Sequence, residues 1–140
     1  ETADIVMMLN GALAGLVAIT AEPLTPGPIT AMFIGSIGAI IMYFGTKMLE
    51  NFGLGDVVGA IPVHMFAGIF GTLIVPLTNN DTSFGTQFIG VLSVCTFSFV
   101  LSWVTFTALK STIGLRISKA AEKLGTDKAE VGVTAYSIRD

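Results

Sequence analysis

Charge is what this sequence has least of. Acidic and basic side chains make up 12% of the 140 residues, about half of the roughly 25% usual in a soluble domain. Together with a hydrophobic fraction of 52% and a mean hydropathy of +0.79, that shortage argues against a soluble globular chain before any motif is consulted. Cysteine is limited to Cys95. No internal disulfide can form, and the thiol is expected to fill apolar space in a helix. A basic leader is also missing: the chain opens on Glu1, Thr2, Ala3 and Asp4 rather than a methionine and a signal peptide, and reads as an internal piece of a longer protein. No nucleic-acid signature is present, and neither an enzyme, a cofactor nor a metal site is expected.

What the sequence has is long apolar runs. A hydrocarbon core about 30 Å thick takes roughly 20 residues of helix. Four segments qualify, at about 5–21, 29–49, 57–77 and 88–113. The connectors carry turn chemistry. EPLTPGP holds Pro23, Pro26 and Pro28, which fix the chain outside a helix. NFGLGD ends on Asp56, a carboxylate suited to cap the next helix. TNNDTSFG is polar. Five of the seven basic residues, Lys110, Arg116, Lys119, Lys123 and Lys128, follow the fourth run, and Lys47 borders the second connector. Because basic residues accumulate on cytoplasmic flanks, both chain ends are expected inside. The expected division is a transmembrane region over 1–113 and a charged cytoplasmic tail over 114–140.

His64 is the sole histidine, and it falls near the middle of the third run. An ionisable group at that depth is expensive and by default faces a bundle interior or a water-filled path. On a regular helix turning about 100° per residue, Asp56, Ala60, His64, Ala67 and Gly71 share an arc of about 80°. Two readings of this small-residue face fit equally. In one it is a tight helix contact with the imidazole hydrogen-bonded across it; in the other it is a narrow pore wall with one titratable group. Pro62 cannot donate to the carbonyl of Val58, so it bends the helix or frees that oxygen for a polar partner.

Asn10 sits inside the first run, where an unpaired amide would cost about 1–3 kcal/mol, so it must find a partner. Gly11 and Gly15, with Ala14 and Ala18 beside them, have the composition of a close helix contact, and Gly35 and Gly38 repeat it in the second run. Phe88, Phe97, Phe99, Trp103 and Phe106 make the fourth run an aromatic, lipid-facing buttress, with a cation-binding cage as the alternative.

These residues resemble a known family. LNGALAGLVAITA resembles the eighth helix of ammonium transporters of the Amt/MEP/Rh type, and DVVGAIPVHMFAGIFGTL resembles the tenth. TIGLRIS, GTD and GVTAY resemble the end of the eleventh helix and its tail. The resemblance implies an all-α integral membrane fold, in which these four helices form part of an eleven-helix inverted-repeat transporter assembled as a homotrimer. The chain would then correspond to helices eight to eleven and need the remaining N-terminal helices of the same protein. His64 occupies the position of the second of two facing pore histidines. Ala60 and Leu13 match pore-lining positions, and Asp56 matches a structural aspartate near the pore, with Asn10 also read as structural there. Gly114, Leu115, Arg116, Asp127 and Tyr136 match a regulatory tail that in many relatives helps dock a PII-type signal protein. Met65 and Pro62 stand where many relatives have glycine, or glycine or serine, and Val131 replaces a common histidine.

The expected function is conduction of ammonium or ammonia through a narrow hydrophobic path in a bacterial or archaeal cytoplasmic membrane. The alternatives are an ammonium sensor on the same fold and a structural membrane subunit without a pore.

Overall fold

The computed structural model describes residues 4–135, and among them every regular element is a helix. Helix α1 covers Ile5–Ile19 and α2 covers Pro28–Asn51. Helix α3 runs over Ile61–Leu77 as three joined pieces: a π-helical start at Ile61–Phe66, an α-helical middle at Ala67–Ile74 and a 3₁₀ end at Val75–Leu77. Helix α4 is Phe84–Thr112 and α5 is Lys119–Leu124, followed by a π turn over Asp127–Val131.

Local chemistry sets the ends. Asp4 caps α1, its carboxylate accepting from the amide of Met7 at 3.1 Å. Gly27 precedes α2 and Pro28 opens it, where a missing N–H costs nothing. Helix α4 starts inside the polar connector because Ser83 and Thr86 satisfy each other's amides, at 3.2 Å in each direction, the reciprocal arrangement of a capping box. Among the described residues, two helices are long and apolar enough to cross a membrane: α2 with 24 residues and α4 with 29. At 1.5 Å per residue they extend about 36 and about 43 Å. Helix α1, with 15 residues, reaches about 22 Å by the same rise.

The chain divides into two units, Glu1–Thr96 and Phe97–Asp140. In the first, α1, α2 and α3 pack together around Ala14, Met42, Val63 and Ala67, each at most 2% exposed, with Met7 and Val17 against them. Small residues set the spacing. A side-chain carbon added to Gly15 would lie 3.1 Å from the carbonyl oxygen of Gly35, and one added to Gly38 would lie 2.6 Å from the Ala18 methyl. Gly11 differs from the other glycines of this contact, since its added carbon would meet only the Met42 terminal methyl at an ordinary 3.7 Å. Many large apolar side chains remain exposed, among them Leu9, Leu16, Phe33 and Phe44. None of the described α4 residues is buried.

The second unit carries the basic tail. Ser118 caps α5 through the amide of Ala121 at 3.2 Å. Arg116 pairs with Glu122 at 2.7 Å, both largely in solvent, where such a pair contributes at most about 1 kcal/mol.

Candidate functional site

The start of α3 is built from a five-residue turn, Asp56 to Ala60. The two carboxylate oxygens of Asp56 accept from the amides of Ala60 at 2.9 Å and Ile61 at 2.8 Å. Both amides are among the orphan donors that open a helix, and the negative charge sits at the positive end of its dipole. Gly59 turns the chain at φ +73°, a left-handed conformation that side chains with a Cβ adopt at a cost.

Asn10 reaches this turn from α1. Its carboxamide nitrogen donates to the carbonyl of Val58 at 3.0 Å. A methyl on Gly59 would lie 2.6 Å from that nitrogen, so the carboxamide fills the space a larger residue would need. The amide cost raised by the sequence and the carbonyl left without a donor by Pro62 thus meet in one bond. The sequence reading missed Gly59; its signal was a lone glycine three residues before a proline within an otherwise apolar run.

Beyond the turn, α3 departs from regular geometry. The amide of Ala67 reaches back to the carbonyl of Pro62, an i→i+5 bond that places an extra residue in the turn. The assumption of about 100° per residue therefore fails over Ile61–Phe66, and the single small-residue face divides. Ala67 and Gly71 are buried, and a carbon added to Gly71 would collide with the Ala18 carbonyl of α1. Ala60 and His64, placed by regular spacing on that same face, are exposed. The packing reading thus describes Ala67 and Gly71, and the imidazole takes no part in that contact.

Leu13, one turn after Asn10 on α1, is 47% exposed. Met65, beside the histidine, is 49% exposed. Leu13, Ala60 and His64 therefore all lie on surface that this chain leaves uncovered, while Asn10 and Asp56 are half-buried.

The opposite end of the bundle is joined differently. Glu22 in the first connector accepts from the Asn79 carboxamide at 2.8 Å and from the Leu24 amide at 3.2 Å. The Asn79 bond, then the Leu24 bond, hold the Glu22 carboxyl below its usual range. A small cleft nearby is lined by Ala18, Glu22, Ile34, Gly71, Val75 and Thr78. It lies at the far end of α3 from Asp56.

In the tail, Gly114, Leu115 and Arg116 are exposed, and Gly114 has φ +81°. Asp127 accepts from the amide of Ala135 at 2.9 Å, closing a loop over the π turn. Tyr136 lies outside the described residues.

Comparison with known proteins follows the same residues. The family model described as Ammonium Transporter Family matches residues 1–136. The chain is 36% identical to ammonium transporter Amt2 of Archaeoglobus fulgidus, over 95% of this chain and 33% of that protein. It is 31% identical to ammonium transporter Amt2 of Methanocaldococcus jannaschii, over 95% of this chain and 34% of that one. An ammonium transporter of Corynebacterium glutamicum is 29% identical, over 92% of this chain and 32% of its own length. The chain spans about a third of the length of these relatives.

Proposed function

The chain belongs to the Ammonium Transporter Family, and we propose that it supplies four helices and the tail of a membrane protein that conducts ammonium or ammonia. The remaining helices come from an N-terminal part of the same protein, with both ends of this stretch on the cytoplasmic side. His64, Ala60 and Leu13 then line a narrow apolar path, and a second histidine from the N-terminal part faces His64. Asp56 and Asn10 hold the wall behind them. The protein assembles as a homotrimer. Gly114, Leu115, Arg116, Asp127 and Tyr136 belong to a regulatory segment that docks a PII-type signal protein.

One observation supports the reading above others: His64 is exposed while its neighbours Pro62, Val63 and Ala67 are buried. An imidazole kept out of this chain's packing, in the opening π-helical turn of an apolar helix, is left for a surface that another part of the protein completes. The chemistry follows from solvation. A bare ammonium ion in hydrocarbon carries a Born penalty that reaches tens of kcal/mol, whereas neutral ammonia loses far less. A narrow apolar path therefore favours the deprotonated species, and a neutral imidazole can accept its hydrogen bond or its proton.

The test is His64→Ala in the full-length protein, reconstituted in vesicles. Ammonium flux is expected to fall, or its discrimination against methylammonium to change, by roughly tenfold or more. Wild-type flux with wild-type discrimination would refute the assignment.

A further inference from the structure

The first turn of α3 is held from three sides. Asp56 fixes the amides of Ala60 and Ile61. Ala67, fully buried, fixes the end of the π segment. The third hold comes from another helix: the Val58 carbonyl has no amide to receive at position 62, because that residue is proline, and takes the Asn10 carboxamide of α1 instead. A π segment is rare because its wide turn is less favourable than an α turn, and it persists where its surroundings define it. His64 lies within this segment, so its direction depends on how the segment is seated.

We propose that Asn10 is a positioning residue for His64: it supplies the donor that Pro62 lacks, anchors the Val58–Gly59 turn to α1, and thereby sets where the π segment presents the imidazole. This rests on the reading of His64 as a group of the conduction path. The fit is tight on both partners. Gly59 leaves room for the carboxamide that a Cβ would fill, and the bond joins residues 48 positions apart. Asn10 is also the carboxamide of α1, whose other residues from Ile5 to Ile19 are apolar side chains or glycine.

The experiment uses the full-length protein in vesicles, with flux normalised to assembled protein. Asn10→Leu removes the donor at similar volume, and Asn10→Asp keeps the shape while donating only when protonated. Asn10→Leu is expected to lower flux by roughly tenfold, the scale of one lost hydrogen bond, and to move the ammonium-to-methylammonium ratio toward that of His64→Ala. Asn10→Asp should match Asn10→Leu in neutral medium and recover, relative to wild type in the same medium, as the medium is acidified toward about pH 4, where an aspartate protonates. Adding His64→Ala to Asn10→Leu should cost no more than His64→Ala alone, the non-additivity of residues acting through one group.

A purely structural Asn10 would lower the yield of assembled protein but leave flux per molecule, the ratio and the pH profile at wild-type values, and that result overturns the proposal. If Asn10→Leu fails to assemble, Asn10→Asp decides by whether acid restores its flux. Unchanged behaviour of His64→Ala would remove the premise as well, whereas a defective His64→Ala beside a normal Asn10→Leu removes the positioning role alone.

Discussion

The carboxamide of Asn10 donates to the carbonyl of Val58 at 3.0 Å, and in doing so joins two polar groups that neither helix can satisfy by itself. A mid-helix amide in an apolar environment needs an acceptor. A carbonyl four residues before a proline needs a donor. The bond removes both liabilities and places the start of the histidine helix against α1.

Gly59 is where this junction is most sensitive to substitution. Gly59→Ala meets two costs, the left-handed backbone at φ +73° and the Asn10 nitrogen 2.6 Å from the new methyl. Gly53 supplies the comparison, with φ +67° and nothing within 4 Å of an added carbon. Gly53→Ala should destabilise by about 1–2 kcal/mol, the left-handed penalty alone, and Gly59→Ala by about 1 kcal/mol more for the displaced hydrogen bond. Thermal unfolding of the full-length protein in detergent measures the difference, and equal losses would show that the Asn10 contact adds nothing.

The parts of this junction could be read from the sequence one at a time. Asn10 needed a partner, Pro62 left an oxygen free, and Asp56 suited a helix start. Their meeting depends on how α1 crosses α3, which no periodicity encodes. The division of the α3 face was hidden for a related reason. Regular spacing puts Ala60, His64, Ala67 and Gly71 together, and only the i→i+5 bond from Ala67 to Pro62 separates the exposed pair from the buried one. Helix existence was legible because the apolar runs are long. The start of α4 at Phe84 depended on the Ser83–Thr86 exchange, a pairing that polar composition alone does not single out.

Asp56 offers a graded series. Its two oxygens each accept one amide, from Ala60 and Ile61. Asp56→Asn keeps one acceptor and loses the charge at the helix start, and Asp56→Ala loses both acceptors. The expected loss is about 1 kcal/mol for the first and about 2 kcal/mol for the second, within the range measured for N-caps. Detergent unfolding should rank them in that order. Asp56→Ala no worse than Asp56→Asn would mean that the second bond is idle.

The contact of α1 with α3 depends on Gly71 rather than on Gly11. A methyl at Gly71 would strike the carbonyl oxygen of Ala18, a backbone atom that can yield only if the helices separate. A methyl at Gly11 would meet the end of the Met42 side chain at 3.7 Å, and methionine adjusts readily. Gly71→Ala is therefore expected to cost about 1–3 kcal/mol, as overpacking does, while Gly11→Ala should be neutral or slightly stabilising through helix propensity. Unfolding midpoints of the two variants, measured side by side, test this, and the reverse order would mean that the α1–α3 spacing is not fixed at Gly71.

The tail should respond to acid through Asp127. Its carboxylate accepts from the Ala135 amide at 2.9 Å. That bond, followed by the amide of Lys128, holds its titration below the usual carboxylate range. A group whose folded value is depressed contributes stability above its unfolded value, about 3.9 for aspartate, and loses it as pH falls through the folded value. The loop closed over Asp127–Val131 should thus be intact at neutral pH and open only in strong acid. The carboxylate is partly exposed to solvent, so screening keeps the effect local. Nuclear magnetic resonance of the protein should show the Ala135 amide proton shifting with the Asp127 titration, and Asp127→Asn should abolish that shift while leaving the Ser118 cap of α5 unchanged. An Ala135 resonance that stays constant across the acid range would show that the carboxylate does not hold the loop.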